Sequence, residues 1–166
     1  MTKIVIIDDF VSNALLIKAY LKGLAVETVI CSSPIEALAW CKDNDPALVL
    51  LDFMMPGMTG TEFLVRFRAN PRLQDVPVVM VTWDERKETF LQTVKAGATD
   101  FLQKPLDRAE LITRVQALVE LSWGRKGSIE ADPRTTQLST ELSERIANLE
   151  ASYDMTGRRE PLVSAA

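Results

Sequence analysis

Asp8, Asp9, Asp52, Thr82 and Lys104 are the positions whose types and spacing could do chemistry, because each ends or closely follows a short apolar run. Taken one at a time, aspartate and threonine at a strand end often do no more than cap the next helix. Gathered at one edge of a sheet, they acquire a different meaning. Three carboxylates in a partly desolvated cleft repel one another unless a cation compensates them. Mg²⁺ is the natural candidate, a hard cation that takes oxygen ligands, keeps several waters and is typically held by one or two carboxylates together with a phosphate. A carboxylate can also attack phosphorus and become an acyl phosphate. A lysine ammonium and a hydroxyl suit the remaining oxygens of a transferring phosphoryl group, tasks that fall to Lys104 and Thr82. The chain has no histidine. That removes the usual general base, the commonest metal ligand and any histidine-borne phosphotransfer within the chain.

The elements that would bring these residues together follow from hydrophobic patterning. Strands are expected at Ile4–Ile7, Glu27–Cys31, Ala47–Leu51, Val78–Thr82 and Asp100–Gln103, each short and apolar, several of them β-branched. Helical spacing separates them, at roughly Asn13–Lys22, Pro34–Lys42, Thr61–Ala69, Glu85–Ala96 and Asp107–Leu121. The third and fourth strands are apolar on both faces, as central parallel strands covered by helices must be. Ser33, Pro34 and Glu36 supply a helix N-cap, a first-turn proline and an early acid, and Gly97 a left-handed stop. Repeated βα units of this length wind into an open parallel sheet whose ligands collect at the carboxyl ends of the strands.

A chain of 166 residues with 47% hydrophobic content has room for one ordinary domain and an appendage. The expected division is a globular domain over 1–124, a linker over 125–135, a helix over 136–154 and a flexible tail over 155–166. Leu138, Leu142, Ile146, Leu149 and Tyr153 place the late helix by their spacings of four and three. Its stripe could dock on the domain, pair as a short coiled coil or lead into an output domain, and homodimerisation is the favoured reading. A net charge of −4 and the lack of a basic block argue against direct nucleic-acid binding. The N-terminal apolar run is too short for a signal-peptide core or a membrane span, and Cys31 and Cys41 read as reduced buried thiols, so a soluble cytoplasmic protein is expected.

IVIIDD, LVLLDFMMPGMTG, VPVVMVT and AGATDFLQKP resemble, in order and spacing, the signature blocks of response-regulator receiver domains of two-component signalling, over about residues 3 to 121. The resemblance implies a doubly wound five-stranded parallel sheet of flavodoxin-like order 2-1-3-4-5, here with a C-terminal helical extension. It implies Asp52 as the phosphoacceptor and a Mg²⁺ site of Asp9, Asp52, the backbone carbonyl of Met54, and Asp8 acting mainly through water. Thr82 would follow the phosphoryl oxygens, Lys104 would pair with them, Phe101 would change rotamer with Thr82, and Pro105 would follow a cis peptide bond. A histidine kinase or phosphotransfer protein would be the donor, and the domain would be a switch, at most self-phosphorylating and autodephosphorylating. DDFVSNALLIKAYLKG, FRANPRLQDVPVVMVT and AGATDFLQKPLDRAEL are similar to receivers that precede cyclic-dinucleotide synthesising or degrading domains.

Two positions depart from the pattern. Trp83 stands where a small residue usually follows the switch threonine, and either narrows access to Asp52 or offers its indole to a partner. Met54 replaces the common acid or amide and cannot activate water, which alters the expected hydrolysis of the acyl phosphate. Phe101, Met54, Met55 and Met58 also read as core fillers. A phosphatase of the haloacid-dehalogenase type would need a second aspartate where Met54 stands, and a degenerate receiver acting as a scaffold would not need the intact acid set.

Overall fold

The computed structural model describes residues 1–83 and 86–126, together with Glu141, Glu144, Arg145 and Ala147. Five parallel strands, β1 (Thr2–Ile7), β2 (Val26–Cys31), β3 (Leu48–Asp52), β4 (Val78–Thr82) and β5 (Asp100–Gln103), form one sheet in the order β2-β1-β3-β4-β5. Helices α1 (Val11–Tyr20), α2 (Pro34–Trp40), α3 (Gly60–Arg68), α4 (Lys87–Ala96) and α5 (Arg108–Lys126) alternate with the strands. This is the doubly wound, flavodoxin-like arrangement expected from the sequence.

The sheet separates two cores because its side chains alternate between faces. Val5, Ile7, Val49, Leu51, Val78 and Met80 face α2 and α3, where Phe63 and Phe67 stack with centroids 5.3 Å apart. Ile4, Ile6, Leu48, Leu50, Val79 and Val81 pack with Ala14 and Ile17 of α1 and Leu111, Val115 and Val119 of α5. Every residue of β3 and β4 is buried. That double burial seats the two strands in the middle of the sheet and aligns their carboxyl ends, with Asp52 in register with Val81.

Local signals set the helix ends. Ser33 Oγ accepts from the Glu36 backbone N–H at 3.1 Å, and the Glu36 carboxylate accepts from the Ser32 N–H at 2.7 Å. At α3, Thr59 and Glu62 form a reciprocal capping box, so the helix begins at Gly60. Gly97 ends α4 with φ +109°, the left-handed conformation that glycine adopts without a Cβ penalty. Arg68, at the end of α3, donates to the carbonyls of Gly97, Leu73, Gln74 and Val76 and so straps the α3–β4 connection to the end of α4.

Some boundaries differ from the expected ones. Helix α1 starts at Val11, two residues early, because Asp8 Oδ1 accepts from the Phe10 N–H at 2.9 Å and closes the preceding turn without a conventional cap at Phe10. Strand β3 includes Asp52 itself. Helix α5 continues to Lys126, past position 124 and into the stretch read as linker. Of the expected late helix, Glu141, Glu144, Arg145 and Ala147 are helical. The remainder of 127–154, the tail over 155–166, and Glu85 at the expected start of α4 lie outside the described residues. Cys31 and Cys41 are buried free thiols, and among the described residues no helix is long and apolar enough to cross a membrane.

Candidate functional site

Asp8 and Asp9 immediately follow β1, Asp52 closes β3, Thr82 closes β4 and Lys104 follows β5, so the parallel sheet delivers all five to its carboxyl edge. One carboxylate oxygen from each of Asp8, Asp9 and Asp52 lies within 4.8 Å of the others. Lys104 Nζ stands 3.2 Å from Asp52 Oδ1 and 3.5 Å from Asp8 Oδ2. The Lys104 N–H donates to the Thr82 carbonyl at 2.9 Å, which ties the lysine loop to the end of β4. The Lys104–Pro105 peptide bond is cis.

The electrostatics are those of a crowded acid site. Burial is the main cause that raises the Asp52 carboxyl above the usual aspartate range; Lys104 opposes it, and Asp8 and Asp9 add to it. Asp8, Asp52, Thr82 and Lys104 are all buried. Asp9 Oδ1 is a buried oxygen without a hydrogen-bond partner. A buried acceptor of that kind is costly unless something binds it. Three convergent carboxylates, one carrying an unsatisfied oxygen, are a donor set that suits a hard divalent cation such as Mg²⁺.

The site opens to solvent through a cleft of ≈ 340 Å³ lined by Asp52, Thr82 and Lys104 and by Phe10, Met54 and Trp83. Phe10, Met54 and Trp83 are 62%, 67% and 67% exposed, an apolar rim around buried charge. Met54 is therefore no core filler, whereas Met55 and Met58 are buried in the core. Trp83 borders the cleft and also presents its indole to solvent. Phe101 is half-buried outside the cleft and packs on Phe90 of α4, centroids 4.1 Å apart. Phe10 was not singled out from the sequence. Its signal was a large apolar residue placed directly after two acids, where no core-facing periodicity calls for one.

The family model described as "Response regulator receiver domain" matches residues 4–116. The chain is 35% identical over 120 residues to the cyclic di-GMP phosphodiesterase response regulator RpfG of Xanthomonas campestris pv. campestris, covering 71% of this chain and 32% of RpfG. It is 31% identical over 119 residues to chemotaxis protein CheY-3 of Vibrio cholerae, covering 71% of this chain and 92% of that protein. The crystal structure of Vibrio cholerae chemotaxis protein CheY4 superposes with a TM-score of 0.68 at 27% identity, over 71% of this chain and 98% of that one. The chain thus spans about a third of RpfG and nearly all of the chemotaxis proteins. RpfG also bears out the likeness to receivers that accompany cyclic-dinucleotide domains.

Proposed function

The chain belongs to the response-regulator receiver family, and on that premise we propose that it is a phosphorylation-dependent switch in which Asp52 accepts the phosphoryl group. The observation that carries this reading is the convergence of Asp52, Lys104 and two further carboxylates on one cleft. An Asp52 carboxylate oxygen attacks phosphorus in line. The O–P bond of the acyl phosphate forms as the bond from phosphorus to the donor's leaving group breaks, and the leaving group departs with that electron pair and takes a proton from solvent. Lys104, already paired with Asp52, turns its ammonium to the transferred oxygens, and Thr82 supplies a hydroxyl from the facing strand end.

Asp8, Asp9, Asp52 and the Met54 backbone carbonyl would hold Mg²⁺, which neutralises charge gathering on the phosphoryl oxygens. Asp9, with its unpartnered oxygen, would be the direct ligand of the pair at the end of β1, and Asp8, held by Phe10 and Lys104, would act through water. Phosphorylation then adds nearly two negative charges beside Thr82 and biases the α4–β5 surface, with Phe101 changing rotamer. The donor is a cytoplasmic histidine kinase or phosphotransfer protein, and the output is a protein partner and not nucleic acid. The homodimer expected from the late helix would form through its apolar stripe. The phosphatase alternative lacks support because the position two past Asp52 carries an exposed methionine and no acid.

Incubation with acetyl phosphate and Mg²⁺ tests the assignment. A single acid-stable, base-labile adduct should map to Asp52 and vanish in Asp52→Asn or in excess chelator. Full labelling of Asp52→Asn would refute the acceptor. Failure to bind Mg²⁺ would favour a phosphorylation-independent scaffold.

A further inference from the structure

Asp100 opens β5 with a nearly buried carboxylate that the phosphoryl site does not use. The Phe101 N–H donates to its Oδ1 at 2.8 Å, and Arg114 of α5 brings Nη1 within 3.3 Å of Oδ2. A second guanidinium reaches the same carboxylate: Arg145 Nη1 lies 3.7 Å from Oδ1. The Arg145 guanidinium carbon also stands 5.9 Å from the ring centroid of Phe90 on α4, and Phe90 in turn packs on Phe101. Arg145 is thus held by one strand and one helix of the same surface, through an ion pair and a cation–π contact. It is helical, as are Glu141, Glu144 and Ala147. In sequence it falls three residues after Leu142 and four before Leu149, beside the apolar stripe of the late segment.

Reach and charge both favour attachment to the parent chain. From Arg114 to the end of α5 at Lys126 the helix rises about 18 Å, and the nineteen positions from Lys126 to Arg145 are ample to return that distance. The seat offers one buried carboxylate and one aromatic face, a pair that suits the planar guanidinium of a single arginine and that an acid cannot satisfy. We propose that the segment centred on Arg145 docks in cis on the surface formed by α4, β5 and α5, with Asp100 and Phe90 as its seat, and covers that surface against other proteins. Arg145 keeps 47% of its side chain exposed, so the cover is held weakly enough to be displaced by a partner. Cover and partner then compete for one surface, and the tail sets how readily the domain is read.

The full chain can be tested by paramagnetic relaxation with a nitroxide on Ala147→Cys. Cys31 and Cys41 are buried with thiols pushed up to about 12 and about 11, so they stay unlabelled at neutral pH. Docking in cis predicts broadening of backbone amides around Phe90 and Asp100, with β2 and α2 at the far edge of the sheet spared. Arg145→Glu, a change at a half-exposed side chain, should abolish most of that broadening. A mixture of isotope-labelled chains without nitroxide and unlabelled chains with it should show none. Absence of broadening near Phe90 and Asp100, or its persistence in Arg145→Glu, overturns the proposal. Equal broadening in the mixed sample also overturns it, and assigns the seat to a second copy of the chain.

Discussion

Lys104 Nζ lies 3.2 Å from Asp52 Oδ1, with both side chains under a tenth exposed, so the site's cation and its central carboxylate form a buried ion pair. Because the same ammonium also reaches Asp8, it compensates two of the three clustered acids. The pair is thus both a structural strut and the contact that phosphorylation would rearrange.

Lys104→Ala separates those roles. Removing the ammonium leaves buried carboxylates uncompensated, and stability in metal-free buffer should fall by about 3 kcal/mol, with part of the loss recovered on adding Mg²⁺. Titration with Mg²⁺ should show affinity retained, while the response of α4 and β5 amides to beryllofluoride is largely lost. Should Mg²⁺ affinity drop as far as in Asp9→Ala, the lysine belongs to the metal site and not to the phosphoryl group.

Trp83 follows Thr82 and borders the cleft, so its emission should change on beryllofluoride binding and saturate with occupancy. Trp40 lies on α2 and Trp123 near the end of α5, and neither lines the cleft. Trp83→Phe should therefore abolish the signal and leave phosphorylation intact. A persistent signal in that variant would point to Trp123 and a rearrangement of the tail.

Gly60 should not tolerate a methyl group although it sits in a helix. A Cβ there would meet Met80 Cε at 2.7 Å and the Phe53 Cα at 3.2 Å. Helix propensity alone would make Gly60→Ala stabilising. Overpacking against backbone should prevail, with a loss of about 1–3 kcal/mol measured by denaturant unfolding.

Cys31 and Cys41 carry thiols raised from 9.0 to about 12 and about 11, chiefly by burial. A group whose folded pKa is raised contributes stability that is complete below the unfolded value and is lost as pH rises through the folded one. Unfolding midpoints should thus decline from pH 9 towards 11 and 12, less steeply in the Cys31→Ala, Cys41→Ala double variant. An identical slope in both proteins would show that other groups govern the alkaline limb.

How far the fold could be read without coordinates differs from element to element. The apolar runs at β3 and β4, and the caps at Ser33 and Gly97, are local signals, and the elements formed where those signals stand. The start of α1 was misplaced because Asp8 caps its turn through a bond to Phe10 that no standard capping pattern announces. The role of Arg68 was invisible for a similar reason: its acceptors are backbone carbonyls, which every sequence offers everywhere.

By itself the sequence determined the chemistry available at the site. Acids, a hydroxyl and a lysine at strand ends, with no histidine in the chain, leave carboxylate and phosphoryl chemistry, and a parallel sheet must bring its strand ends to one edge. Only the tertiary structure decided which of these groups touch. It put Lys104 on Asp52 and Asp8, left Asp9 with an unpartnered oxygen, turned Met54 outward while Met55 and Met58 went inward, and set Arg145 against Asp100 and Phe90. Those outcomes depend on contacts between residues far apart in the chain, whose energies come from burial and distance, and neither quantity is written in local spacing.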